Sequence, residues 1–146
     1  MKQLIIQNIT PETFAPYGTV IDYTEDLEAE GVRFKVLLDS AAPTGWRMAT
    51  LKVRAHEATH MEHHDTTEEL FAPVKGVCIM LVHAPGALDE EQVAAFLLDR
   101  PVSVGPGVWH EVFSLSEWAT ILIAENYKFT GGKTPLSHPF TATLVW

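Results

Sequence analysis

Runs rich in apolar and β-forming residues, set among polar positions, recur along this chain, and each is bounded by Gly, Pro, Asp or Ser. The stretches are residues 32–38, 46–54, 70–74, 77–83, 108–113 and 118–124. Short β-rich runs punctuated by turn residues are the signature of many short strands, so the chain is predicted to be mainly β. Ahead of them, Thr10-Pro11-Glu12 reads as an N-cap, a proline in the first helical turn and an early acid. Pro16 and Gly18 stop that helix after about one turn. The segment 89–98 fits two patterns. Its acidic start and Ala94-Ala95 suit a helix, whereas the apolar run before Asp99-Arg100-Pro101 suits a strand, and periodicity does not choose between them.

Composition narrows the picture. At 146 residues, with 47% apolar and 20% charged positions, the chain is expected to fold as one domain over 1–146 and not to be disordered. No internal repeat or low-complexity linker interrupts it. The longest apolar runs, 77–82 and 119–124, fall far short of the roughly 20 residues a membrane helix needs. The opening residues lack the apolar core and cleavage site of a signal peptide, so a cytoplasmic protein is expected. A net charge of −9 and the absence of a basic patch argue against nucleic-acid and membrane partners. The single cysteine, Cys78, sits in the apolar stretch VCIML and reads as a small core residue. No G-x-S-x-G, P-loop or G-x-G-x-x-G motif is present.

The chemistry is concentrated in HEATHMEHHDTTEE, which holds four of the seven histidines together with Glu57, Glu62, Asp65, Glu68 and Glu69. Imidazole and carboxylate are ligands that first-row metals favour. On an extended backbone Glu62 and His64 point to one face and His63 to the other. Glu69 is far enough along for a bend to bring it back to that face. His110, beyond the glycine-rich turn in GPGVWHEVF, is the fourth candidate. His60 and His63 are expected to face solvent, entering the site only if the register shifts by one. His56, His83 and His138 read as surface or hydrogen-bonded core histidines. Trp46, Met48, Trp109 and Phe113 are expected in the core, with Trp46 and Trp109 able to line a pocket. Glu125 and Asn126 are expected to form a turn at a strand end.

These residues resemble the cupin motifs. In the pattern G-x5-H-x-H-x(3,4)-E-x6-G, His64, Glu69 and Gly76 take the places of the second His, the Glu and the last Gly, and Glu62 stands in the slot of the first His. In G-x5-P-x-G-x2-H-x3-N, Gly107 and His110 match, the proline is displaced to Pro106, and Ser114 replaces the Asn. Among cupins, ITPETFAPYGTVID, FAPVKG and PGVWHEVF resemble, in order, segments of the ureidoglycolate lyase family. Members usually carry Pro directly after the His matched by His64 and Gln at the position of Glu69; this chain has Asp65 and Glu69, and is slightly shorter.

The resemblance implies a cupin-type jelly-roll β-barrel with a short N-terminal helical turn, a strand preceded by a turn at 93–98, and a homodimer. It implies a metal-assisted lyase that splits ureidoglycolate, a compound of allantoin degradation, into glyoxylate and urea. Glu62, His64, Glu69 and His110 would hold a divalent ion, for which nickel, zinc, manganese and iron all suit the donor set. An uncommitted Glu62 would instead serve as the base. A carboxylate substrate calls for a cation, and Arg33, Arg54 and Lys75 are the candidates, with Trp109 beside them. Two other readings keep the same fold: a cupin isomerase or dioxygenase of another small acid, and a non-catalytic small-molecule-binding cupin.

Overall fold

Thr10 caps the first helical turn as the sequence predicts. The computed structural model describes residues 1–22, 25–31, 33–39 and 45–145. Helix α1, Pro11–Phe14, is closed by a capping box in which the Thr10 hydroxyl accepts from the Thr13 amide and the Thr13 hydroxyl accepts from the Thr10 amide. The turn delivers Phe14 into the core, where its ring meets Phe96 and Tyr17 edge-on at centroid distances of 5.4 and 5.9 Å. Helix α2, Glu25–Ala29, is also short. No helix among the described residues is long and apolar enough to cross a membrane.

The rest is β structure, consistent with a cupin-like β-barrel. Strands β1 (Lys2–Gln7), β11 (Gly131–Thr143), β4 (Ala58–His64), β9 (Trp109–Ser114), β6 (Cys78–His83) and β7 (Ala94–Leu97) form, in that order, a closed barrel. Strands β2 (Gly18–Val20), β8 (Val102–Val104), β5 (Glu69–Lys75), β10 (Ala119–Asn126) and β3 (Trp46–Val53) form a five-stranded sheet. Between these layers lies one core, containing Phe14, Phe71, Cys78, Met80, Val82, Phe96 and Ile121. A second core, containing Met61, Ile79, Leu81, Trp109, Phe113 and Phe140, fills the closed barrel. Strand β6 is buried along its whole length because its alternate side chains enter different cores, which is why its sequence is continuously apolar.

Five of the six predicted strands are found at β3, β5, β6, β9 and β10. Segment 89–98 resolves as a 3₁₀ turn over Glu90–Gln92, capped by the Asp89 carboxylate, followed by β7. The sixth expectation is corrected: residues 33–39 form no strand, and Phe34 is 83% exposed, while Val32 lies outside the described residues. That run pairs with none of the described strands, and β propensity without a partner strand does not make a strand. Strand β11 contains Pro135 and Pro139, and its register against β4 shifts between Pro135 and Phe140, as proline's missing donor requires.

Candidate metal centre

Strand register brings the candidate residues together. Glu62 of β4 sits opposite His110 of β9, and Glu69 of β5 sits opposite Glu125 of β10. His64 follows Glu62 on the same face of β4. The loop from β4 to β5 is latched: the Thr67 hydroxyl accepts from the Asn126 amide at 2.9 Å, and the Asn126 side-chain amide donates to the Thr66 carbonyl at 3.0 Å. The Gly107 amide donates to the His64 carbonyl at 2.8 Å, tying the turn before β9 to the end of β4. These bonds hold His64, Glu69 and His110 within direct reach of one another.

His64 Nδ1 lies 2.8 Å from Glu69 Oε2 and 3.6 Å from Glu125 Oε2, and His110 Nε2 lies 3.0 Å from the same Glu69 oxygen. All four of these atoms are buried, yet none makes an aligned hydrogen bond. His110 Nδ1–H donates to the Val108 carbonyl at 3.0 Å, so in the neutral ring the lone pair of Nε2 faces the Glu69 carboxylate. Two acceptors facing one another in a buried site need a cation between them: a proton or a metal ion. The backbone carbonyl behind His110 is the outer partner that orients a ligating imidazole. Ligand atoms of Glu62, His64 and His110, and likewise of His64, Glu69 and Glu125, lie within 4.8 Å of one another. The residues present therefore fit a divalent ion.

Electrostatics agree. Burial pushes the Glu69 carboxyl up, but the adjoining His110 and His64 outweigh it and hold the group down at about 2. Burial pulls His110 down, but Glu69 beside it and the Val108 carbonyl raise it above the usual imidazole value. Burial pushes Glu125 up, against the Arg47 guanidinium that pulls it down, and neighbouring Glu69 adds to the rise.

Glu62, His64, Glu69 and His110 thus converge, and Glu125 joins them. The expected turn at Glu125 is corrected: it lies within β10, with a side chain only 7% exposed. The signal was there in the alternation of Ile121, Ile123 and Glu125, which continues an inward-facing series beyond the last apolar residue. Arg47 of β3, also missed, donates from Nε and Nη2 to Glu125 Oε1 at 2.9 and 2.6 Å. Its guanidinium rests 5.2 Å from the centroid of the Phe129 ring, which in turn packs 4.2 Å from the His64 ring.

The expected cations lie elsewhere. Arg33 is exposed and outside any strand, and Arg54 is exposed just beyond the end of β3. Lys75 ends β5 and places its ammonium 4.6 Å from the centroid of the Trp118 ring. Glu69 opens the same strand, so Lys75 is about 20 Å away. Trp109, adjacent to His110, points into the other core, where its indole donates to the Gly86 carbonyl at 2.8 Å and its ring packs on His63. Trp46 and Met48, expected in the core, are exposed, because β3 is a sheet edge. His60 pairs with Glu111, and His63 with Asp65 at 2.7 Å, both outside the cluster. His56 Nδ1 meets the Ser114 carbonyl at 2.9 Å, and His138 is exposed.

Comparison with known proteins places these features in context. A profile described as ureidoglycolate lyase matches residues 1–125. A ureidoglycolate lyase of Burkholderia mallei (strain NCTC 10229) is 28% identical over 142 residues, covering 86% of this chain and 84% of its own. That of Pseudomonas syringae pv. syringae (strain B728a) is 31% identical over 126 residues, covering 75% of this chain and 74% of its own. Among solved structures, a dTDP sugar isomerase from Desulfovibrio desulfuricans G20 is similar with a TM-score of 0.49 at 17% identity, over 70% of this chain and 73% of that one.

Proposed function

The chain belongs to the ureidoglycolate lyase family, and from that premise we propose that it splits ureidoglycolate, or a close ureido acid, into glyoxylate and urea with the help of a divalent metal ion. The observation that carries the metal-assisted form of this reading is the set of four buried, unbonded atoms on His64, Glu69, His110 and Glu125. Those residues would hold the ion, which supplies Lewis acidity toward hydroxyl and carboxylate oxygens, and Glu62 is left uncommitted.

The protein's own part is proton handling and placement. Glu62 stands beside His110 without belonging to the buried contact around Glu69, so its carboxylate is the group least committed to the cluster. As general base it takes the proton of the substrate hydroxyl; the oxygen's electron pair forms the carbonyl of glyoxylate, the carbon–nitrogen bond breaks, and the departing nitrogen takes up a proton to give urea. His110 is held in one orientation by Val108, so the geometry of the cluster is set before substrate arrives.

Elemental analysis of the purified protein, paired with glyoxylate release from ureidoglycolate before and after chelation, tests this reading. Stoichiometric metal with chelator-sensitive release is the expected result. His110→Ala should lose metal and turnover together, by a factor of at least 10²; retention of both by that variant sinks the site assignment. Metal without release would leave the centre standing and overturn the substrate.

A further inference from the structure

We propose that Arg47 is the specificity-determining residue of this site, a guanidinium held ready to receive the carboxylate of the substrate. The inference rests on reading the centre as one that takes a small hydroxy or keto acid, and it names the group that recognises the acid.

The cluster itself is anionic. Glu62, Glu69 and Glu125 converge on it, and the chain carries a net charge of −9. An anionic substrate approaching such a site needs a local cation. Among the described residues, Arg47 is the one Lys or Arg side chain that forms an ion pair with a carboxylate of the cluster. Arg54 and Lys75 lie at the opposite end of the same sheet: Val53 pairs with Ala119 and Lys75 with Thr120, whereas Arg47 pairs with Glu125.

The guanidinium is built for a second partner. Two of its five N–H groups, on Nε and Nη2, converge on one oxygen of Glu125. The second hydrogen of Nη2 and both hydrogens of Nη1 make no hydrogen bond among the described residues, and together they form the end-on fork that matches a carboxylate. The side chain is 48% exposed, so this edge is reachable from solvent. Glu125 fixes the plane from one side and Phe129 supports its face, so the rotamer entropy of a free arginine is already lost before ligand binds. The other oxygen of Glu125 faces His64 Nδ1 at 3.6 Å, so the fork stands one carboxylate away from the cluster. In this reading the substrate's hydroxyl lies at the cluster and its carboxylate, on the adjacent carbon, at the fork. A crevice of about 340 Å³, lined by Gly45, Asn126, Tyr127 and Lys128, opens at the same end of β3 and β10.

The test compares metal-loaded wild type with Arg47→Met, which keeps the stem and removes the charge, and with Arg47→Lys, which keeps the charge and removes the fork. Calorimetric titration with glyoxylate, glycolate and the neutral amide glycolamide is run beside ureidoglycolate kinetics and metal analysis. Wild type should bind the acids at least tenfold more tightly than the amide. Arg47→Met should lose that preference while metal content is retained, and Arg47→Lys should keep part of it. In turnover, Arg47→Met should raise KM at least tenfold with a smaller change in kcat. Wild type that binds neither acid, or binds acid and amide alike, overturns the inference. So does an Arg47→Met protein that binds the acids as wild type does, or one whose only defect is lost metal and lower kcat. If the acids bind as expected but ureidoglycolate is not turned over, Arg47 keeps its role and the substrate reading falls.

Discussion

A buried histidine can end in satisfied bonds or in an open valence, and this chain holds one of each. His83 donates from Nδ1 to the Ala84 carbonyl and accepts at Nε2 from the Asp89 amide, so both nitrogens are spoken for within the protein. His110 is equally buried but has only Nδ1 bonded, leaving Nε2 aimed at Glu69. That difference separates a structural imidazole from a candidate ligand more sharply than burial does. Cys78 shows the same logic for a thiol. Burial pushes it up to about 12, and its Sγ–H donates to the Phe113 carbonyl at 3.2 Å. In the folded protein at pH 8, Cys78 should therefore not react with an aromatic disulfide reagent, and modification should appear only at the rate of unfolding. Rapid stoichiometric labelling of native protein would show that the thiol is not held in this core. The period-two rule made Glu62 and His64 legible from the sequence, and spacing added Glu69 and His110. Glu125 and Arg47 were hidden because single charged residues at strand ends look like turn residues until the partner strand is known.

Elements place these side chains through register, and the turns that set register carry their own constraints. Gly76, between β5 and β6, has φ +78°, and an added Cβ would lie 2.3 Å from the Trp118 carbonyl oxygen. Its match to the final glycine of the cupin pattern thus has a steric cause. Gly76→Ala should lower stability by about 1–3 kcal/mol, read as a reduced urea midpoint. Metal content should be unchanged, because the turn lies at the end of β5 remote from Glu69. Strands rich in apolar and β-forming residues were legible. Among those that were not, β2 and β8 are short, β4 is polar and β11 is broken by proline. Their residues are recruited by neighbours and not by their own propensity, which is tertiary context at work. The converse error, the expected strand at 32–38, has the same origin: residues 33–39 carry the β-rich pattern but pair with none of the described strands.

For the molecule as a whole, the coupled centre makes stability depend on acidity. Glu69 is held at about 2, below the ordinary 4.5, by its histidine neighbours despite burial. A carboxyl depressed on folding stabilises the native state above its unfolded value, and that contribution drains away as pH falls through the folded one. The metal-free protein should therefore lose thermal midpoint steeply between pH 4.5 and about 2, and Glu69→Gln should flatten that segment of the profile; an identical slope in the variant would assign the loss to other groups. Histidine contributes with the opposite sign. His110 is raised on folding, so its share is present at acid pH and is lost as pH rises through the folded value. The overall architecture also governs how the chain gets there. Strand β1 lies parallel to β11, with residues 2–5 beside residues 140–143, and parallel to β7, with Ile6 and Gln7 beside Ala95 and Phe96. A chain made from its first residue onward thus leaves the β11-facing edge of β1 unpaired until late in synthesis, and the barrel closes only after residues 140–143 have emerged. Such long-range closure has a high entropic cost and puts folding in the slow regime of non-local β topologies. Until then the unpaired edges of β1 and β4 are open to other chains, so yield on expression will depend on how quickly the last strand arrives.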